Sequence, residues 1–343
     1  MKRKIYSWIM ILPLLLCLVT ACGDEELVKQ SAVGDKEVWA QLSFGVAGQS
    51  PVKIDTRTTY DLRYESMVRN LYVFVFVGNE RVYGHFFDEN NFTADVDYDV
   101  DSWTVNNKTD NSTSTFTTGT VRMKVPVVTD GGAEILMIAN LDLDFINVSH
   151  ERLSLVSNKS ELENIVVSLN QEFPNRNAGY FIMTGSKDGV TIANVGTITV
   201  PENTIELYRL DAKVEVNVKI DPESTNSENQ QVKAFEPESW RVINLPKSAY
   251  LLPHDTDPNE GEQEAFFHLE PTAFDVSGNT EDAFSFYMME NRAAMKQTTN
   301  GNYHLRDKRI KHADGTYNNE SGWWEYAPEG GTYLEIKGQL DML

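Results

Sequence analysis

Along residues 37–46 of this 343-residue chain, Val38, Ala40, Leu42, Phe44 and Val46 alternate with Glu37, Gln41, Ser43 and Gly45, and Trp39 alone breaks the polar side. A period of two places the apolar set on one face of a strand that starts near Glu37. Residues 48–66 (GQSPVKIDTRTTYDLRYES) then carry turn formers and charges without a sustained apolar pattern, which predicts an exposed loop of unusual length. The run 71–77 that follows is apolar at successive positions and rich in aromatic and β-branched residues, as expected of a central strand covered on both faces. Similar short runs recur at 121–128, 134–139, 180–184 and 190–200.

Between them, 88–120 is polar and reads as a long surface excursion. In SELENIVVSL, Ser160 and Glu163 match a capping box, and Leu162, Ile165, Val166 and Leu169 share a helical face, so a helix is expected there. The clearest alternation lies in RLDAKVEVNVKI, where Leu210, Ala212, Val214, Val216, Val218 and Ile220 face one way and charged or amide residues the other. PENT at 201–204 precedes it as a linker candidate. SWRVINLP, FSFYMMEN and TYLEIKGQL supply later strands. Many short strands with one or two short helices and no βαβ rhythm predict a mainly β protein of two antiparallel β-sandwich domains, 37–200 and 201–343, the second left open as incomplete.

The N-terminus is organised differently. Lys2, Arg3 and Lys4 precede an apolar run from Ile9 to Val19 that is too short to span a bilayer, so 1–21 reads as a secretory signal. Val19, Thr20 and Ala21 before Cys22 resemble the lipobox of bacterial lipoproteins, which implies cleavage before Cys22 and its lipidation, palmitate included. An ordinary signal peptide with an incidental Cys22 is the alternative. Residues 22–36 form a polar tether. Its acids Asp24, Glu25 and Glu26 resemble the tract that marks surface export in Bacteroidetes lipoproteins.

Composition narrows the partners. The formal charge is −21, and loss of Lys2, Arg3 and Lys4 with the signal makes it −24, which disfavours nucleic acid and anionic lipid. Of the two cysteines, Cys17 leaves with the signal and Cys22 is committed to lipid, so no disulfide or thiolate metal site remains and stability must come from packing. With 16 Phe and 14 Tyr there is material for two cores. No nucleotide-binding glycine pattern, HExxH or GxSxG is present, and the chain reads as a non-enzyme with no cofactor and no metal.

Asp95, Asp97, Asp99 and Asp101 alternate but lack the glycine turn and final Glu of a calcium loop, so they read as a solvated acidic edge. His304 and His312 lack ligand spacing. Trp323 and Trp324, as strand neighbours, point to opposite faces; one is a candidate glycan platform, with anchoring of the second sandwich as the bland alternative.

The lipobox together with NLYVFVF, ILMIANL, FIMTGS, YRLDAKVEV and FSFYMMEN, in that order, resembles the Bacteroidales fimbrillin family, subunits of type V pili. The resemblance implies transthyretin-like sandwiches, outer-membrane and cell-surface location in a fimbrium, and assembly with other fimbrial subunits for cell adhesion. It also implies that an arginine-specific protease cuts the loop after the first strand, releasing it so that an extended C-terminal segment of another subunit can take its place. Arg57 is the expected scissile residue and Arg63 the alternative; Arg69 is disfavoured because it abuts the central strand. Val38, Ala40, Leu42, Phe44 and Val46 would then be a displaced strand rather than permanent core. The sequence stops soon after TYLEIKGQL, where the family continues, which leaves a fragment or a tip or accessory subunit open. A non-polymerising surface glycan-binding lipoprotein, recognising a host or bacterial surface glycan or protein, is the competing expectation.

Overall fold

The computed structural model describes residues 33–46, 66–89, 100–107, 117–170, 180–193, 198–218, 230–259, 266–274, 283–291 and 331–342. Strands β1 (Val33–Val46), β2 (Leu71–Val77), β3 (Glu80–Phe87), β4 (Ser102–Asn107) and β5 (Thr117–Ala139) come first, followed by single-turn helices α1 (His150–Ser154) and α2 (Lys159–Glu163) and the short β6 (Val166–Ser168). After them come β7 (Met183–Ile192), β8 (Ile198–Arg209), β9 (Asp211–Asn217), β10 (Val232–Pro246), β11 (Ser248–Tyr250), β12 (Phe266–His268), β13 (Thr272–Ala273), β14 (Ala283–Met289) and β15 (Tyr333–Met342). The mainly β expectation with two short helices therefore holds.

β2 shows why its sequence is apolar throughout. Leu71, Val73 and Val75 enter one core cluster, and Tyr72, Phe74 and Phe76 enter another on the opposite face. The three rings run down one side of the strand, with Tyr72 and Phe74 centroids 4.4 Å apart and Phe74 and Phe76 5.5 Å apart, within stacking range. β5 serves both faces too: Ile135 and Met137 point into the first cluster, Leu136 and Ile138 into the second.

The runs expected separately at 121–128 and 134–139 are one strand. Asp130 (φ 59°) and Gly131 (φ 68°) bend β5 without ending it. The half before the bend pairs with β1 on one side and β4 on the other; the half after it pairs with β2 and β7. Since β7 also pairs with β8, and β8 with β1, the ladders β1–β8–β7–β5–β1 close a circuit around the first cluster.

Three expectations need correction. The polar excursion at 88–120 contains β4, because Trp103 is buried in the first cluster and its indole N–H donates to the Asp88 carbonyl at 2.8 Å. The helix expected from Ser160 to Leu169 lasts one turn: Asn158, not Ser160, caps it by accepting from the Glu161 N–H, Glu161 accepts in turn from the Ser157 N–H, and Val166–Ser168 leaves as a strand to pair with β11. The candidate linker at 201–204 lies inside β8, and the chain leaves this sheet at Leu210, whose N–H donates to the Ile182 carbonyl at 2.9 Å. From there β9 pairs with β14, and β10 takes β12 and β13 along one side and β15 along the other. Val214 and Val216 of β9, and Val218 just after it, pack against a third cluster that includes Trp240, Val242, Phe284 and Phe286.

Candidate functional site: the seat of the first strand

β1 is formed by strict alternation, and the sheet uses both of its edges. From Glu37 to Gly45 it is antiparallel to β5 in unbroken register, with Ala40 opposite Met123 and Leu42 opposite Val121. Its other edge runs parallel to β8, with Ser43 opposite Thr204 and Phe44 opposite Ile205. β1 is thus an inserted strand, flanked on both sides although it begins the described chain.

The expected displaced-strand residues are brought together as one apolar row. Ala40, Leu42, Phe44 and Val46 are buried in the first cluster and Val38 packs partly against it. Phe44 is the deepest of them, 1% exposed. Its ring lies over Gly119, where a Cβ would come within 2.2 Å of the ring and 2.6 Å of the Thr104 carbonyl oxygen. Glycine there makes the slot into which the phenyl group fits.

The outward face carries charge. The Arg122 guanidinium lies 4.1 Å from the centroid of the Trp39 ring, a cation–π contact, and is only 6% exposed with β1 in place. Lys124, next along the same face of β5, pairs with Glu37 at 3.4 Å. Asp101 joins the neighbouring strands, its two carboxylate oxygens accepting from the Tyr83 hydroxyl and the Lys124 backbone N–H, both at 2.8 Å. Burial, with Asp101 alongside, pushes the Tyr83 phenol well above its ordinary range. Asp95, Asp97 and Asp99 lie outside the described residues.

Just before β2 the chain is clamped. Asn140, at φ 63° and fully buried, donates from its amide to the Met67 and Phe181 carbonyls (2.8 and 2.7 Å) and accepts the Arg69 N–H at 2.8 Å. Asn70 completes the clasp, accepting the Leu141 N–H at 2.7 Å and donating to the Leu141 carbonyl at 3.0 Å. The Arg69 backbone is held by this clasp. Sequence reasoning did not find Arg122, Asn70 or Asn140. The signals were present: an arginine inside the apolar run VRMKV, and an Asn-Leu pair that opens one apolar run (Asn70-Leu71) and closes another (Asn140-Leu141).

Cys22, Arg57, Arg63, Trp323, Trp324, His304 and His312 fall outside the described residues. Among the described residues no group of three or more His, Cys, Asp or Glu is arranged to hold a metal ion, and no helix is long and apolar enough to cross a membrane.

No family model matches the chain, and no curated protein does. Solved structures to which it is similar include a fimbrilin and two adhesion-related proteins. The fimbrilin, from Porphyromonas gingivalis, is 13% identical with a TM-score of 0.44, over 87% of this chain and 80% of that one. A candidate cell adhesion protein from Parabacteroides distasonis is 18% identical with a TM-score of 0.42, over 74% and 70%. A candidate adhesin from Bacteroides ovatus is 11% identical with a TM-score of 0.31, over 87% and 85%. A fimbrilin is thus among the structural neighbours.

Proposed function

We propose that this chain is a structural and adhesive subunit of a type V fimbria, exported to the outer membrane as a lipoprotein through Cys22 and assembled by strand exchange. An arginine-specific protease cuts at Arg57, with Arg63 as second candidate, and β1 leaves with the lipidated N-terminus. An extended C-terminal segment of another subunit takes its place. A tip or accessory position fits the same chemistry.

The observation that carries this reading is the seat of β1. Removing the strand strips β5 and β8 of one ladder each and uncovers the slots of Ala40, Leu42, Phe44 and Val46. Two bare strand edges flanking an apolar groove form an acceptor for an extended segment, in which main-chain hydrogen bonds give affinity and alternate side chains give fit. The clasp at Asn70 and Asn140 supports the same reading, because it anchors the chain after the loop independently of β1.

The test is intact mass and N-terminal sequencing of the mature chain before and after an arginine-specific protease. A new N-terminus at Thr58 or Tyr64, with a folded remainder that gains the capacity to associate, is the expected result. Resistance of the wild-type chain, or unaltered cleavage and assembly of Arg57→Ala/Arg63→Ala, would remove this assignment.

A further inference from the structure

β15 and β1 carry nearly the same message. Residues 335–342 (EIKGQLDM) set against 37–44 (EVWAQLSF) repeat Glu, Gln and Leu at Glu37/Glu335, Gln41/Gln339 and Leu42/Leu340. Val38/Ile336, Ala40/Gly338 and Phe44/Met342 keep an apolar or small residue on the inward row. The outward row changes at Ser43/Asp341 and, more sharply, at Trp39/Lys337. The inward row differs in shape at Phe44/Met342, over Gly119, while the outward face differs in charge, and Arg122 is the side chain that meets Trp39 there.

We propose that Arg122 is a specificity-determining residue: the seat accepts a partner strand with an aromatic ring at the Trp39 position and rejects this chain's own β15. The proposal rests on the strand-exchange reading above. The occupant is a segment of a different subunit, with an acid, an apolar residue, an aromatic residue and a small residue in succession, as in Glu37-Val38-Trp39-Ala40.

The physics runs through burial. With the seat filled, Arg122 is almost wholly removed from solvent, so a ring over its guanidinium is worth more than at an exposed site, and an ammonium in the same place forfeits that contact and adds like charge. Glu335 would renew the pair that Glu37 makes with Lys124, so β15 is matched at one outward position and opposed at the next. The outward face of β5 offers Arg122 and Lys124, with the Asp101 carboxylate held on the Lys124 backbone beside them, so the ring over Arg122 rather than net charge is the selective feature.

The experiment uses the full chain with a unique cleavage sequence for an unrelated protease placed within 47–65, cut and then offered labelled peptides. These are EVWAQLSFGV, EIKGQLDML, and EIKGQLDML bearing Lys337→Trp. Exchange is read as label retained on the folded protein and β1 released into solution. The β1 sequence should bind most tightly, the β15 sequence about ten-fold or more weaker, and Lys337→Trp should tighten the β15 sequence several-fold, the remaining difference belonging to the Phe44 and Val46 slots. In the Arg122→Glu chain the order should invert toward the lysine peptide. If that variant does not fold, the three peptides on the wild-type chain decide alone. Equal affinity of the β1 and β15 sequences, no gain from Lys337→Trp, or failure of every peptide to enter overturns the proposal. Resistance to the arginine-specific protease with the peptide order intact removes native strand exchange and leaves the selectivity. Native cleavage and assembly with indifferent peptides do the reverse.

Discussion

Leu42 in β1 is 2% exposed, whereas Leu340, its counterpart in β15, is 52% exposed, although both stand on the apolar row of a regularly alternating strand. The difference comes from the neighbours. β1 has β5 and β8 along its edges and the first cluster over its apolar face; β15 is laddered to β10, and of its apolar row Ile336 reaches the third cluster. Alternation specifies which residues share a face, and the sheet decides whether that face is covered.

The largest effect should separate the two strands by core loss. Phe44→Ala removes a fully buried ring from the Gly119 slot and is expected to cost about 3–5 kcal/mol, whereas Leu340→Ala should stay within about 0.5 kcal/mol. Urea unfolding of both variants measures the contrast, and equal shifts would break it. A smaller effect belongs to the outward face: Trp39→Ala loses the contact with Arg122 and should cost about 0.5–2 kcal/mol and speed hydrogen exchange along β1. Trp39→Phe should recover part of that loss, and an alanine as stable as tryptophan would show that the contact holds nothing.

The smallest effect concerns β15 and acid. The Arg241 guanidinium, hydrogen-bonded at 2.8 Å, holds the Glu335 carboxyl below the usual glutamate range. A depressed folded value contributes stability that is fully present above the ordinary glutamate pKa of about 4.3 and is lost as pH falls through the folded value. Hydrogen exchange followed down through that window should show β15 loosening from β10 before β1 loosens from β5. Glu335→Gln should flatten the pH response; an unchanged response would assign it to another group.

Strands such as β1, β2, β10, β14 and β15 were legible because each writes its burial in its own residues. β5 was not legible as one strand, since Pro126 and the Asp130-Gly131 bend look like breaks until β2 and β7 are seen to pair beyond them. β4 was hidden because its apolar residues that join or pack against the core, Trp103 and Val105, stand in a run of polar residues. The helix after 158 was over-extended because Ile165 and Val166 fit a helical face as well as they fit the bridge to β11. At the seat, the apolar row could be read from alternation. The Arg122 contact could not, because it joins Trp39 to a residue 83 positions later by diagonal placement across a ladder.

The unbroken ladder from Glu37 to Gly45 also has a mechanical meaning. Its hydrogen bonds lie across the strand axis, so a pull along that axis loads them together in shear, whereas a pull at right angles would open them one after another. The parallel ladder to β8 shares the same load on the opposite edge. Whatever segment sits between β5 and β8 is consequently loaded in shear along both of its edges when pulled along its axis.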